Sequence, residues 1–135
     1  MITMKRIYEP VAPEDGYRVL VERLWPRGVS KAAAHLDAWE RAIAPSDALR
    51  RWYGHDPAKW EEFQARYVRE LETPEAKAVL DALVARTRQD SVTLLYASHA
   101  GEISNAAVLA RLLSARERGE PAPRPTDVPA AHSET

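Results

Sequence analysis

The chain has no cysteine among its 135 residues. Disulfides, thiolate nucleophiles, iron–sulfur clusters and Cys-based zinc sites are thereby excluded. Net charge is also scarce. Nineteen Lys and Arg against 20 Asp and Glu leave −1 at neutral pH, which argues against a general polyanion binder while leaving room for a local basic site. No apolar run approaches the roughly 18 residues of a membrane span. The opening Met1-Ile2-Thr3-Met4-Lys5-Arg6 carries neither the apolar stretch nor the cleavage pattern of a secretory signal. A cytoplasmic protein without membrane attachment is the expectation. The four histidines show no H-x-x-x-H or comparable spacing, and His35 and His132 have no evident partner, so no metal site is expected. The phosphate loop G-x-x-x-x-G-K-[ST], the dinucleotide fingerprint G-x-G-x-x-G and the nucleophile elbow G-x-S-x-G are all missing. No cofactor is expected.

Apolar residues make up 45% of the chain, enough for one core although many are alanine. Ile2 to Tyr8 reads as a first strand, with Ile2 and Met4 on one face and Thr3, Lys5 and Ile7 on the other. Pro10, Pro13 and Asp15-Gly16 mark a loop. Tyr17 to Leu24 reads as a second strand whose Val19-Leu20-Val21 centre is covered on both faces, stopped by Pro26 and Gly28. Residues 31–53 are Ala-rich and read as helical, split at Pro45, with Ser46 capping a short helix that ends near Gly54. Asp56-Pro57 and Thr73-Pro74 are two further cap-then-proline starts. Trp60, Phe63, Tyr67 and Leu71 form one helical stripe, and that spacing makes them core rather than an aromatic binding platform. Ser91 to Ala97 is the third strand, and Ser104 caps a last helix. Residues 1–118 are expected to form a single domain. Residues 119–135, Pro-rich and almost without large apolar side chains, are expected to be a disordered tail.

Two strands buried on both faces and separated by helices imply a parallel pair joined by a crossover. The expectation is a small α/β domain with a three- to four-stranded, mainly parallel sheet flanked by helices. Open sheets of this kind bind ligands outside the carboxyl ends of their strands. At the end of the second strand stands Arg23-Leu24-Trp25-Pro26-Arg27-Gly28-Val29-Ser30-Lys31. Arg23, Arg27 and Lys31 supply cationic donors that match phosphate or carboxylate oxygens, and Gly28 permits close backbone approach. The bland alternative pairs Arg23 with a carboxylate, puts Trp25 in the core and leaves Arg27 and Lys31 solvated.

At the end of the third strand, Ser98 and Ser104 could donate to the same anion, helped by the free N–H groups of a helix start. His99 there and His55 in the Gly54-His55-Asp56-Pro57 turn are the candidates for proton transfer near neutral pH. Ser104 as a plain cap and His55 as a structural turn residue are the corresponding ordinary readings.

The strings Arg23-Leu-Trp-Pro-Arg-Gly-Val-Ser-Lys31, Ala44-Pro45-Ser46 with Leu49-Arg50, and Gly54-His55-Asp56-Pro57 with Trp60 and Phe63 stand in this order. They are preceded by Tyr8-Glu9-Pro10 and Asp15-Gly16-Tyr17-Arg18. Together they resemble the YeaO-like family, a bacterial domain family of unknown function, over about residues 4–115. The resemblance implies a single small cytoplasmic α/β domain and no particular reaction. It places weight on Arg23, Trp25, Pro26, Arg27, Gly28 and Lys31, and adds Ser46, Arg50, His55 and Asp56. Relatives often read Tyr-Ala-Ala-Lys-Asp where this chain has Tyr96-Ala97-Ser98-His99-Ala100.

The leading expectation is therefore a domain that binds a small phosphate-, sulfate- or carboxylate-bearing ligand, with an enzyme built on the same site as an extension. Rival readings are a nucleic-acid accessory protein using the Arg/Lys loop beside Trp25, which the charge balance disfavours, and a non-catalytic interaction module docking through the tail. The first strand, expected at a sheet edge, is a surface that two copies could share in a homodimer.

Overall fold

A computed structural model describes residues 1–129. Its centre is β4 (Val92–Tyr96), five residues of which all are buried. Such a nearly apolar run needs cover on both faces, and it receives it. With β1 (Ile2–Arg6), β2 (Tyr17–Leu20) and β3 (Ala38–Trp39), β4 forms a four-stranded sheet in the order β1-β4-β2-β3. Every pairing is parallel, and Thr3, Thr93 and Arg18 share one row of the register. The expected α/β architecture with its parallel crossover pair is what is found, and β1 does lie at an edge.

Four helices follow the start signals in the sequence. Ser46 accepts from the Leu49 N–H to open α2 (Asp47–Tyr53), and Gly54 closes it in the left-handed conformation at φ 52°. Asp56 accepts from the Ala58 N–H to begin a single 3-10 turn that runs into α3 (Trp60–Glu70). Thr73 caps the Ala76 N–H of α4 (Pro74–Arg86), and Ser104 caps the Ala107 N–H of α5 (Asn105–Glu117). These helices pack on one sheet face over Val19, Val92 and Leu94. The stripe of Trp60, Phe63, Tyr67 and Leu71 is core, as its spacing requires. The other face is smaller: Ile7, Leu20, Ala34 and Leu95, with Trp25 and Trp39 against them.

Two expectations are corrected. The second strand stops at Leu20 rather than Leu24. One more ladder bond forms, Val21 N–H to Leu95 O at 3.1 Å, and then the Glu22 carboxylate, not a carbonyl, receives the Ala97 N–H at 2.9 Å. The continuous helix over residues 31–44 is replaced by one short turn, α1 (Lys31–Ala34), which His35 ends with φ 47°. Beyond it the chain pairs with the free edge of β2. The Asp37 N–H bonds Arg18 O at 2.8 Å and the Glu40 N–H bonds Leu20 O at 2.9 Å. Backbone groups at a sheet edge need partners, and that demand outweighs the helix preference of the alanines.

The link from β1 to β2 contains no α-helix. It is held by a buried cluster in which Asp15 receives Arg18 at 2.6 Å, Lys5 at 2.8 Å and the Ala12 N–H at 3.0 Å. After α5 the described residues have neither helix nor strand, yet Gln64 grips them. Gln64 Nε2 donates to Thr126 O at 2.9 Å, while its carbonyl oxygen accepts from the Thr126 N–H at 3.1 Å. Residues 130–135 of the expected tail, His132 among them, lie outside the described residues. Among the described residues no helix is long and apolar enough to cross a membrane.

Candidate functional site

Strand geometry delivers the carboxyl ends of β1, β2 and β4 to one edge of the sheet. Helix α2 and the turn after it lean over that edge. Between them lies a hollow of about 440 Å³. It brings together four of the eight residues expected at a site: Arg23, Arg27, His55 and Ser98. The loops after the second and third strands therefore do converge.

Among the described residues Arg23 has no carboxylate partner. Its Nε donates to Pro45 O at 3.0 Å and its Nη2 to Ala44 O at 3.2 Å. The two carbonyls hold the guanidinium in place. Arg27 is exposed, and among the described residues its side chain has no hydrogen-bond or ion-pair partner. Its own carbonyl accepts from Tyr8 OH at 3.0 Å, which ties the loop to the end of β1.

Trp25 stiffens the same loop. Its Nε1 donates to Val29 O at 2.6 Å, and its ring meets Trp39 edge-on with centroids 5.2 Å apart. Trp39 in turn donates to Glu22 O at 2.6 Å. The arginine loop is thus built on an indole pair, not on a flexible turn.

His55 sits in the left-handed conformation, φ 56°, directly after Gly54. Histidine tolerates that region better than most side chains, at some cost. The turn aims its Nδ1 at Ser98 Oγ, 3.4 Å away, and Ser98 Oγ also accepts the Ala100 N–H at 3.0 Å. Burial lowers the His55 pKa from its ordinary value, and the charge of Arg50 lowers it further. The ring is thereby biased toward its neutral form.

Two charged groups that the sequence reading did not assign to the site also line it. Glu22, half-buried at the end of β2, has its pKa raised by burial, with the Ala97 N–H and the charge of Arg50 pulling the other way. Arg50, on the exposed face of α2, loosely pairs with Asp47 at 3.4 Å. The only sequence signal for Glu22 was a lone acid closing an apolar run. Arg50 carried weight through the family resemblance alone. Asn105, at the first turn of α5, lines the floor and donates to Val21 O at 2.8 Å.

The other expected residues are placed elsewhere. Ser104 is fully buried, and its hydroxyl donates to Gly101 O at 2.7 Å while capping α5. Gly28 turns at φ 74° with open space around it. Lys31 opens α1 and His99 is exposed, both away from the lining of the hollow. Three guanidiniums and an imidazole against one carboxylate give the hollow an excess of positive charge and of N–H donors, the arrangement that suits an oxyanion. Among the described residues no group of three His, Asp or Glu is placed to hold a metal ion.

Fold and site together define a small α/β domain with a polar hollow at the carboxyl edge of a parallel sheet. The chain belongs to the YeaO-like DUF488 family: the family model described as "Inactive DUF488-N3 subclade" matches residues 1–132. It is 42% identical over 115 residues to an uncharacterized protein of Mycobacterium tuberculosis strain H37Rv, covering 85% of this chain and 95% of the relative. It is 38% identical over 109 residues to the uncharacterized protein YeaO of Escherichia coli K12, covering 81% and 93%. No solved structure matches it.

Proposed function

We propose that the hollow binds a small oxyanion, with Arg23, Arg27 and Arg50 supplying charge and Ser98 and His55 supplying hydrogen bonds, in a holding role rather than a catalytic one. The carrying observation is Arg27, which lines the hollow together with Arg23 and Arg50 and whose side chain has no hydrogen-bond or ion-pair partner among the described residues, while Arg23 is already fixed by two carbonyls. Three guanidiniums lining one hollow repel one another, and an anion held between them offsets that repulsion.

The matched subclade's description as inactive supports holding over turnover. So does the hydrogen-bond pattern: the nucleophile-like hydroxyl of Ser98 already accepts the Ala100 N–H. Trp25, the residue behind a nucleic-acid reading, is held in place by its edge-on contact with Trp39 and its N–H on Val29, which gives it a structural task apart from the base stacking that single strands require.

The test is thermal unfolding in rising inorganic phosphate at constant ionic strength. A ligand that binds only the folded state raises stability as its concentration passes Kd. The wild type should show a saturable rise in Tm, and Arg27→Ala should lose most of it. A flat response in both proteins rejects the reading.

A further inference from the structure

Glu22 is out of place in a site built only to attract anions. Its carboxylate lines the hollow with Arg23, Arg27, Arg50 and His55, and a negative charge there repels a fully ionised guest. One oxygen is fixed by the Ala97 N–H at 2.9 Å. The other has no partner among the described residues. Half-buried carboxylate oxygens are strong acceptors that seek a donor, and a guest in the hollow can supply one.

From this we infer that Glu22 makes the hollow selective for an oxyanion that brings its own O–H, namely hydrogen phosphate, over sulfate. This rests on the anion-binding reading above and narrows it. At neutral pH inorganic phosphate always retains at least one proton and sulfate retains none. The remaining oxygens of phosphate can take the arginine donors and the one proton that the bonded Ser98–His55 pair has to give, while the P–OH donates to Glu22. Sulfate meets the same donors but sets a bare oxygen against the carboxylate. A site that hydrogen-bonds a ligand hydroxyl rejects the analogue lacking it, because its own acceptor is left unpaired and like charges face each other. Burial on one side, and the Ala97 N–H and the charge of Arg50 on the other, act on the Glu22 carboxyl in opposite directions, but the contrast needs only that its free oxygen accept.

The experiment is calorimetric titration of the full chain at neutral pH and fixed ionic strength with phosphate, sulfate and methyl phosphate, repeated for Glu22→Gln. The amide of glutamine keeps an oxygen for the Ala97 N–H and turns an NH₂ donor toward the guest. For the wild type, phosphate should bind at least about tenfold tighter than sulfate. Methyl phosphate, largely dianionic above its second pKa of about 6, should fall with sulfate. In Glu22→Gln the three should converge to within about threefold, chiefly through a gain for sulfate. Equal binding of phosphate and sulfate by the wild type overturns the inference but leaves anion binding standing. Methyl phosphate as tight as phosphate, or an undiminished gap in Glu22→Gln, overturns it as well. If neither protein binds any of the three while both melt as folded proteins, the anion reading falls with it.

Discussion

The Asp15 carboxylate grips Arg18 with one oxygen at 2.6 Å and Lys5 with the other at 2.8 Å, and Asp15 and Arg18 are both more than nine-tenths buried. The cluster joins β1, the following link and β2 in a region with little apolar mass of its own. Removing one member leaves uncompensated charge in the interior. Asp15→Asn should therefore cost about 3 kcal/mol of unfolding free energy, near the lower end for a broken buried pair.

The same cluster fixes a pH signature. Burial alone would raise the Asp15 pKa, but the bonds from Lys5, the Ala12 N–H and Arg18 outweigh it and hold the carboxyl below its ordinary 3.8. A depressed folded-state pKa gives stability that is present above the unfolded value and lost as pH falls through the folded one. Urea unfolding across the acid range should show a fall in stability below about pH 4 that is shallower in Asp15→Asn. Equal slopes would show that Asp15 does not carry this linkage.

Gly16→Ala should be more damaging than its size suggests. The residue has φ 63°, and a Cβ there would stand 2.3 Å from the Ser91 carbonyl oxygen. That oxygen also accepts the Tyr17 N–H at 2.8 Å, at the start of the β2–β4 ladder. Strain and displacement together should cost at least about 2 kcal/mol, read as a lower urea midpoint. A change within error would mean that the link relaxes freely.

Arg23 and Arg27 should separate stability from binding. Arg23→Ala strips donors from the carbonyls of Ala44 and Pro45, both in buried residues, and should lower stability by about 2 kcal/mol along with any phosphate response. Arg27→Ala touches no internal bond and should leave stability within about 0.5 kcal/mol while abolishing most of the response. Paired melts with and without phosphate check both, and identical behaviour of the two variants would contradict the assignment.

Gln64→Ala should release the segment after α5. Gln64 is 2% exposed and meets the Thr126 N–H, carbonyl and hydroxyl as well as Arg111. Amide hydrogen exchange at Thr126 should be slowed in the wild type and fast in the variant. Fast exchange in both would show that this contact does not persist in solution.

Much of this architecture is written locally. The caps at Ser46, Asp56, Thr73 and Ser104, the alternation of β1 and the both-face-apolar runs of β2 and β4 are short-range signals, and they place three strands and four helices. The two-residue β3 is invisible because one strand-favouring residue, Trp39, beside an alanine is too short a pattern to read. Its existence depends on the unpaired carbonyls of Arg18 and Leu20, which are distant in sequence. The site divides in the same way. Arg23, Arg27, Ser98 and His55 stand on loops whose convergence follows from parallel strands. Arg50 is an ordinary solvated helix residue until α2 is folded over the sheet edge, and Glu22 reads as the end of a strand. The Ser104 hydroxyl was legible as a cap, and the cap is the role it fills.

The place of β4 has a consequence for biosynthesis. The middle strand of the sheet is the last of the four to leave the ribosome, and β1 and β2 pair with it rather than with each other. Until Val92–Tyr96 has emerged, the nascent chain holds two apolar segments with a vacant slot between them. Such intermediates expose unpaired edges to other molecules. Completion of the sheet is thereby postponed until β4 has emerged, and the interval of vulnerability is set by the order in which the strands are spelled out.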